Sequence, residues 1–233
     1  MDMLITAVTR LGQGICVAGV KVMDKTVDRW QWVRPTRMSD ENWLSLSHAD
    51  LYDDAGNLTT KVGNIVRWEM GEKLPPDGPL VENVHHPANG SRTLVRSLAH
   101  DEYLDICDQL SHDAVAISNY LSRRSSLALL RPDRICEVTI ASSRYRRSRL
   151  QPRITFEYDG RSLDYAVTDM TWYDFCMEEC DPDIYRYREF EMDYGLSIEY
   201  LVVGRGQWYK GDYWPFIIGV VCSESVAEIM EAG

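Results

Sequence analysis

The sequence predicts a mainly β chain, with two small barrels or sandwiches separated by a helical stretch. Three observations carry this expectation. Short β-branched or aromatic runs bounded by turn residues fill the first third and resume at Leu127. Between them, apolar residues recur at helical spacing through Leu104, Cys107, Leu110, Val115, Ile117 and Leu121. Each β-rich part has about 100 residues, which suits a five-stranded barrel with decorations.

Taken in order, Met3 to Val8, Ile15 to Val22 and Arg29 to Arg34 read as strands, with a tight turn at Asp24-Lys25. Ser39 to Lys61 reads as polar and irregular around the Asp53-Asp54-Ala55-Gly56-Asn57 turn cluster. Gly63 to Met70 is a further strand, and Leu80 to Val84 a weaker candidate. Leu94 and Leu98 open the helical spacing, which predicts two helices. Strands then follow at Leu127 to Leu130, Arg134 to Ile140, Arg153 to Tyr158 and Leu163 to Val167. Thr168 or Asp169 can cap a helix carrying Trp172, Phe175 and Cys176. Tyr200 to Val203 and Trp214 to Val221 read as closing strands, with Pro215 requiring an edge or a bulge. Ser223 to Glu231 reads as a terminal helix. The expected division is a first barrel over 1–92, a helical connector over 93–122, and a second barrel with a helical insertion and a C-terminal helix over 123–233.

The chain has 233 residues, 45% hydrophobic and 26% charged, so it is neither a disordered chain nor a disulfide scaffold. No run approaches the roughly 20 apolar residues of a membrane span. The N-terminus, MDMLITAVTR, lacks the charge and run of a signal peptide, so the expected location is the cytoplasm. The six cysteines form no CxxC pair, and reduced, buried thiols are expected, with no metal and no cofactor.

The formal net charge is −11, yet Arg123 to Arg161 holds ten Arg against four acids. From Asp169 to Glu199 there are ten acids and two Arg. The basic stretch either binds a polyanion or faces the acidic stretch within the molecule.

Candidate binding residues follow. In Arg29-Trp-Gln-Trp-Val-Arg34, the residues Trp30, Trp32 and Arg34 share one strand face. Facing out, they form a stacking platform; facing in, the indoles fill a barrel with Arg34 at its mouth. A buried guanidinium needs an anion or carbonyl, which makes Arg34 the better site candidate. His85-His86-Pro87-Ala88-Asn89 follows a strand candidate. Adjacent histidines on a strand point opposite ways, so His85, His86 and Asn89 are expected to hydrogen-bond backbone or ligand in a polar groove, or to form a structured turn. Arg144, Tyr145, Arg146, Arg147, Arg149 and Arg153 combine forked phosphate donors with an aromatic ring, and Trp172 is a second candidate for stacking on a base.

Catalytic signatures are weak. Gly204-Arg-Gly206-Gln-Trp-Tyr-Lys-Gly211 lies between two strand candidates, not before a helix, and GxSxG, HExxH and HxE…PCxxC are missing. The expectation is a protein that is not an enzyme.

Several fragments, in order, resemble the dual OB-containing domain family of bacteria and archaea. Trp32-Val33-Arg34-Pro35 resembles its W-[IV]-R-P strand end, and Gly63-Asn64-Ile65-Val66 its G-D-[IV]-V strand start. His85-His86-Pro87-Ala88-Asn89 resembles an H-x-P-E-N segment, with Ala88 at the acidic position. Leu130-Arg131-Pro132 resembles the entry to the second barrel. Arg153-Ile154-Thr155-Phe156-Glu157-Tyr158 and Val167-Thr168-Asp169 resemble R-[IL]-x-F-x-Y and V-T-D. Tyr200 to Gly204 and Ile217-Ile218 resemble the last hairpin. The resemblance implies two tandem OB-like β-barrels joined by a helical segment, and a nucleic-acid-binding role in prokaryotic defence or conflict systems. The leading expectation is a non-catalytic binder of single-stranded nucleic acid. A protein–protein adaptor and a small-molecule or nucleotide sensor with its ligand near Arg34 and His85 are the alternatives.

Overall fold

The computed structural model describes residues 1–11, 14–22, 31–39, 42–73, 75, 77–142 and 150–232. The chain divides into two compact units, Met1–Ala128 and Leu129–Gly233.

In the first unit, β1 (Asp2–Leu11), β2 (Gly14–Lys21) and β3 (Trp32–Ser39) form an antiparallel meander. A short β4 (Asn42–Leu44) pairs with the end of β3, and a 3-10 turn, His48–Leu51, follows. β5 (Asn64–Trp68) runs antiparallel to β1. β6 (Asn83–His85) runs parallel to β3, in the register Arg34–Asn83 and Thr36–His85. The chain just after β5 closes the circuit: the Gly71 N–H donates to the His85 carbonyl, and Lys73 bridges Val84. The path β1-β2-β3-β6-β5-β1 is therefore a closed five-stranded barrel. Pro35 sits within β3, at the position paired with Val84.

β7 (Arg92–Ser97) pairs with the outer side of β5. The leucine spacing predicts helix there, but the backbone is a strand, with Leu94 and Val95 exposed. The ladder to β5 satisfies the backbone, and tertiary pairing overrides a two-leucine periodicity. Helix begins only at α1 (His100–Ser111), followed by α2 (Ala114–Leu121). α1 buries Tyr103, Cys107 and Leu110, a single stripe at helical spacing. The Tyr103 hydroxyl donates to the Thr6 carbonyl of β1, and β1 is buried from Met3 through Thr9. Both helices lie inside the first unit, where the sequence predicts a separate connector.

The second sheet begins with β8 (Leu127–Leu130) and continues through β9 (Arg134–Ser142), β10 (Leu150–Tyr158) and β11 (Arg161–Val167). α3 (Met170–Glu178), β12 (Ile184–Arg186) and α4 (Tyr187–Tyr194) precede the long hairpin β13 (Ile198–Tyr209) and β14 (Asp212–Cys222), and α5 (Val226–Ala232) ends the described chain. The strand order is β12-β9-β10-β11-β14-β13-β8, with β11 and β14 parallel. β8 and β9 are consecutive in the chain, yet β8 pairs at one end of the sheet, beside β13, and β9 lies near the other, between β10 and β12. β10 shows the expected alternation, with Pro152, Ile154 and Phe156 inward. Pro215 lies opposite Arg205, where the β13–β14 register slips. β14 is an interior strand, so of the two expected settings the bulge is the one observed. The sequence reading leaves β4, β12 and α4 unassigned. α4 ends at Gly195, whose φ of 67° is the left-handed cap that glycine supplies without strain.

Candidate nucleic-acid interface

The first unit holds two polar centres rather than one groove. In the first, Arg34 is 6% exposed, so it is buried rather than set at an open mouth. Its Nη1 donates to Asn83 Oδ1 at 3.4 Å and its Nη2 to Ser126 Oγ at 3.0 Å. Ser126 in turn donates through Oγ to Glu82 Oε2, and the Ser126 and Leu127 N–H groups donate to Glu82 Oε1. Glu82 is equally buried, at 6%. A guanidinium and a carboxylate sharing one hydroxyl is the pairing that burying either charge requires. Trp32, two residues earlier on the same strand face, is buried as well, at 8% exposed, so it is not an open stacking platform. Trp30 lies outside the described residues.

The second centre is organised by Asp50, which is fully buried. Its Oδ2 accepts from the Ser47 N–H and hydroxyl, both at 2.8 Å. Its Oδ1 accepts from Arg37 Nη2 at 2.6 Å and Arg92 Nη1 at 3.1 Å. Burial alone would raise this carboxyl, but the Ser47 bonds and the Arg37 guanidinium hold it below its ordinary value. His86 completes the group. Its Nδ1 lies 3.0 Å from the Glu69 carbonyl and its Nε2 2.9 Å from Arg92 Nη1. An arginine only donates, so Nε2 accepts and Nδ1 carries the proton. Burial lowers the imidazole pKa, the Glu69 carbonyl opposes this, and Arg92 lowers it further. Trp68 packs edge-on against the ring, with centroids 4.9 Å apart.

His86 and Arg34 therefore belong to different networks. His85 is half-buried beside Gly71, and Asn89 is exposed on the turn. The sequence reading misses Asp50, Arg37 and Arg92. The available signal was Ser47-x-x-Asp50, a cap pattern in a stretch read as irregular.

In the second unit, Arg153 is half-buried on β10, where it pairs with Asp164 of β11 at 2.8 Å. Arg134 pairs with Glu157 at 3.1 Å. Trp172 is 1% exposed and packs against Phe175 and Phe190, with centroids 5.6 Å from each. It is a core residue, and no base can reach its ring in this arrangement. The helix that carries it is capped by Asp169, whose Oδ1 accepts from the Trp172 N–H. Arg144, Tyr145, Arg146, Arg147 and Arg149 lie outside the described residues, in the segment joining β9 to β10.

The exposed aromatics of this unit are elsewhere. At the end of the β13–β14 hairpin, Tyr209 is 60% and Trp214 45% exposed. Lys210 Nζ lies 5.2 Å from the Tyr209 ring centroid. The Trp214 indole N–H donates to the Tyr209 carbonyl at 2.9 Å, which fixes the indole on the hairpin. The sequence reading rejects this Gly204–Gly211 segment as a phosphate loop and places it between the strands of the last hairpin, but takes neither Tyr209 nor Trp214 as a binding candidate. Tyr209 and Trp214 flanking Lys210-Gly211 was the signal. Among the described residues, no cluster of three His, Cys, Asp or Glu side chains is placed to hold a metal ion. No described helix is long and apolar enough to cross a membrane.

Comparison with known proteins gives a family and one distant structure. The dual OB-containing domain family matches residues 1–220. A solved replication protein A heterotrimer bound to single-stranded DNA is similar at 10% identity and a TM-score of 0.38, over 99% of this chain and 50% of that chain. The present chain thus spans half the length of the solved one. A search of curated proteins gives no match. With a family match over residues 1–220, nearly its whole length, the chain belongs to the dual OB-containing domain family.

Proposed function

We propose that the chain is a non-catalytic module that binds single-stranded nucleic acid, in the prokaryotic defence setting that its family resemblance implies. The observation that carries this reading is the β13–β14 hairpin end, where two exposed aromatic rings flank a lysine. Rings of this kind accept any base face, and the neighbouring cation attracts the phosphate between bases. A duplex keeps its bases stacked on one another and offers such rings nothing. The arginines of the 143–149 segment supply further phosphate donors in this reading.

The test is binding of labelled single and double strands to the full chain and to a Tyr209→Ala, Trp214→Ala double variant. Each stacked base contributes about 1–3 kcal/mol, so the double variant is expected to bind single strands at least about tenfold more weakly. Unchanged affinity would remove the hairpin from the interface. If the wild-type chain bound neither strand form and instead co-purified with a protein, the adaptor reading would replace this one. The exposed Ile184 and Met192 on β12 and α4 are the surface that such a partner would cover.

A further inference from the structure

We propose that a cavity of the first unit is a separate binding site for a single guanine-type base. The start of β3, the approach to β6 and the α1–α2 turn enclose about 630 Å³, a volume suited to a small ligand. Trp32 and Leu127 supply apolar wall, as a flat heterocycle requires. The polar lining carries two carboxylates, Glu82 and Asp113, against one lysine. It also includes Asn119 and Ser125.

These groups are pre-positioned by the fold. Glu82 is fixed by the Ser126 and Leu127 bonds, with two of them on Oε1 and one on Oε2. Asp113 caps α2, and both cap bonds, from the Val115 and Ala116 N–H groups, fall on Oδ1. One oxygen of each carboxylate thus keeps capacity to accept. Ser125 is 9% exposed, and its buried hydroxyl has no partner among the described residues. A buried hydroxyl of that kind is costly unless something in the cavity bonds it.

Carboxylates accept hydrogen bonds and do not donate them. They therefore select a ligand edge with adjacent donors. Guanine presents a ring N–H beside an amino group. Adenine and cytosine place the amino group beside an acceptor nitrogen, and uracil sets its one ring N–H between two carbonyls. A carboxylate facing any of these three meets at least one lone pair. The Asn119 amide and the Ser125 hydroxyl can donate to the remaining guanine acceptors. Lys73 also lines the cavity. The Arg124 and Ser125 N–H groups bond the Asn119 carbonyl, which ties the exposed Arg123-Arg124 turn to this lining. Cations at these positions suit a phosphate left outside while the base enters. The ligand is then either a free guanine nucleotide or one unstacked guanine of a strand.

The test is equilibrium dialysis of the full chain against GMP, AMP, CMP and UMP. GMP is expected to bind at least about tenfold more tightly than the other three, because a site built for donors leaves carboxylates unpaired against the others. Ala116, half-buried on the α2 face of the cavity, offers a way to fill it. Ala116→Trp is expected to weaken GMP binding at least about tenfold, and the smaller Ala116→Leu to weaken it by an intermediate factor, with thermal unfolding confirming a folded chain. Two arms separate the sources. A dT oligonucleotide carrying one dG should out-compete all-dT for the cavity if strand guanine enters, and should not if only the free nucleotide does. No saturable GMP binding up to about 1 mM, equal affinity for all four nucleotides, or unchanged binding in both folded Ala116 variants would overturn the proposal. Loss of GMP binding in the Ala116 variants with strand binding intact would leave the hairpin reading standing. Strand binding unchanged in the hairpin double variant would sink the hairpin reading alone.

Discussion

At the scale of single residues, His86 and Asp169 show how burial gives two titrating groups opposite effects. His86 is fully buried and held neutral between the Glu69 carbonyl and Arg92. Its folded pKa is lowered, so its contribution is complete above the ordinary value of 6.5 and is lost as pH falls from there through the folded value. Removing the ring takes one acceptor from Arg92, which keeps Asp50 and the Gly90 and Tyr52 carbonyls, takes the Nδ1 partner from the Glu69 carbonyl, and leaves a void against Trp68. His86→Ala is expected to cost about 3 kcal/mol in denaturant unfolding, and a loss under about 0.5 kcal/mol would mean the network does not stabilise the fold. Asp169 behaves in the reverse sense. Burial pushes its carboxyl up to about 6 from 3.8, against the backbone bonds from Val220, Trp172 and Thr171. The folded state then binds the proton more tightly than the unfolded chain, so stability is greatest below 3.8 and declines as pH rises through about 6. A rise of that size corresponds to roughly 3 kcal/mol. Asp169→Asn abolishes this titration, so the substitution should be more damaging at pH 4 than at pH 7.5 by about 2–3 kcal/mol in urea unfolding. Equal damage at both pH values would contradict the raised carboxyl. The Val-Thr-Asp fragment was legible in the sequence as a helix cap, and its tie to the Val220 N–H of β14, at 2.8 Å, was not. That bond spans 51 residues and has no local signature.

Among the elements, legibility followed how local the forces are. β10 alternates because one face is core, and α1 carries a stripe at helical spacing because it packs on one side only. Both patterns are written in neighbouring residues. β7 was misread because its identity comes from the β5 ladder, which no short window records. The Asp50 centre was missed for the same reason: Arg37, Asp50, His86 and Arg92 come from four segments, and each is ordinary alone. The β1–β2 crossing offers the sharpest test at this scale. β1 carries a register shift between Ile5 and Ala7, opposite Gly19 and Ala18. A Cβ built on Gly19 would lie 2.2 Å from the Leu4 carbonyl oxygen and 2.9 Å from Met3 Cγ. The near atom is backbone, so the strands themselves must separate. Gly19→Ala is expected to destabilise the first unit by roughly 2–4 kcal/mol, as overpacking of a core does. A melting temperature within about 1 °C of wild type would show that the crossing is looser than its geometry implies.

For the molecule as a whole, the question is how a chain of net charge −11 can hold a polyanion. Its field opposes approach, so binding must come from local donors and must fall steeply with salt. Arg134 and Arg153 are matched by Glu157 and Asp164, at neighbouring positions of the same sheet, and not by the acidic 169–199 stretch. Arg144, Arg146, Arg147 and Arg149, on the segment between β9 and β10, are the phosphate donors of the proposal. A flexible single strand can present its phosphates to these arginines and its bases to the rings. A duplex brings about twice the charge density against the same unfavourable field. Replacing the four arginines by Ala makes the chain more acidic by four charges, from −11 to −15. Binding is expected to weaken, and the slope of log K against log salt to flatten by about 0.7 for each single-strand phosphate no longer neutralised. Weaker binding at an unchanged slope would mean that the arginines act through the general field, without touching phosphate. Unchanged binding would assign the strand to the hairpin alone. Loss of folding in circular dichroism would show that the four side chains serve the structure of the second unit, and the phosphate assignment would fail.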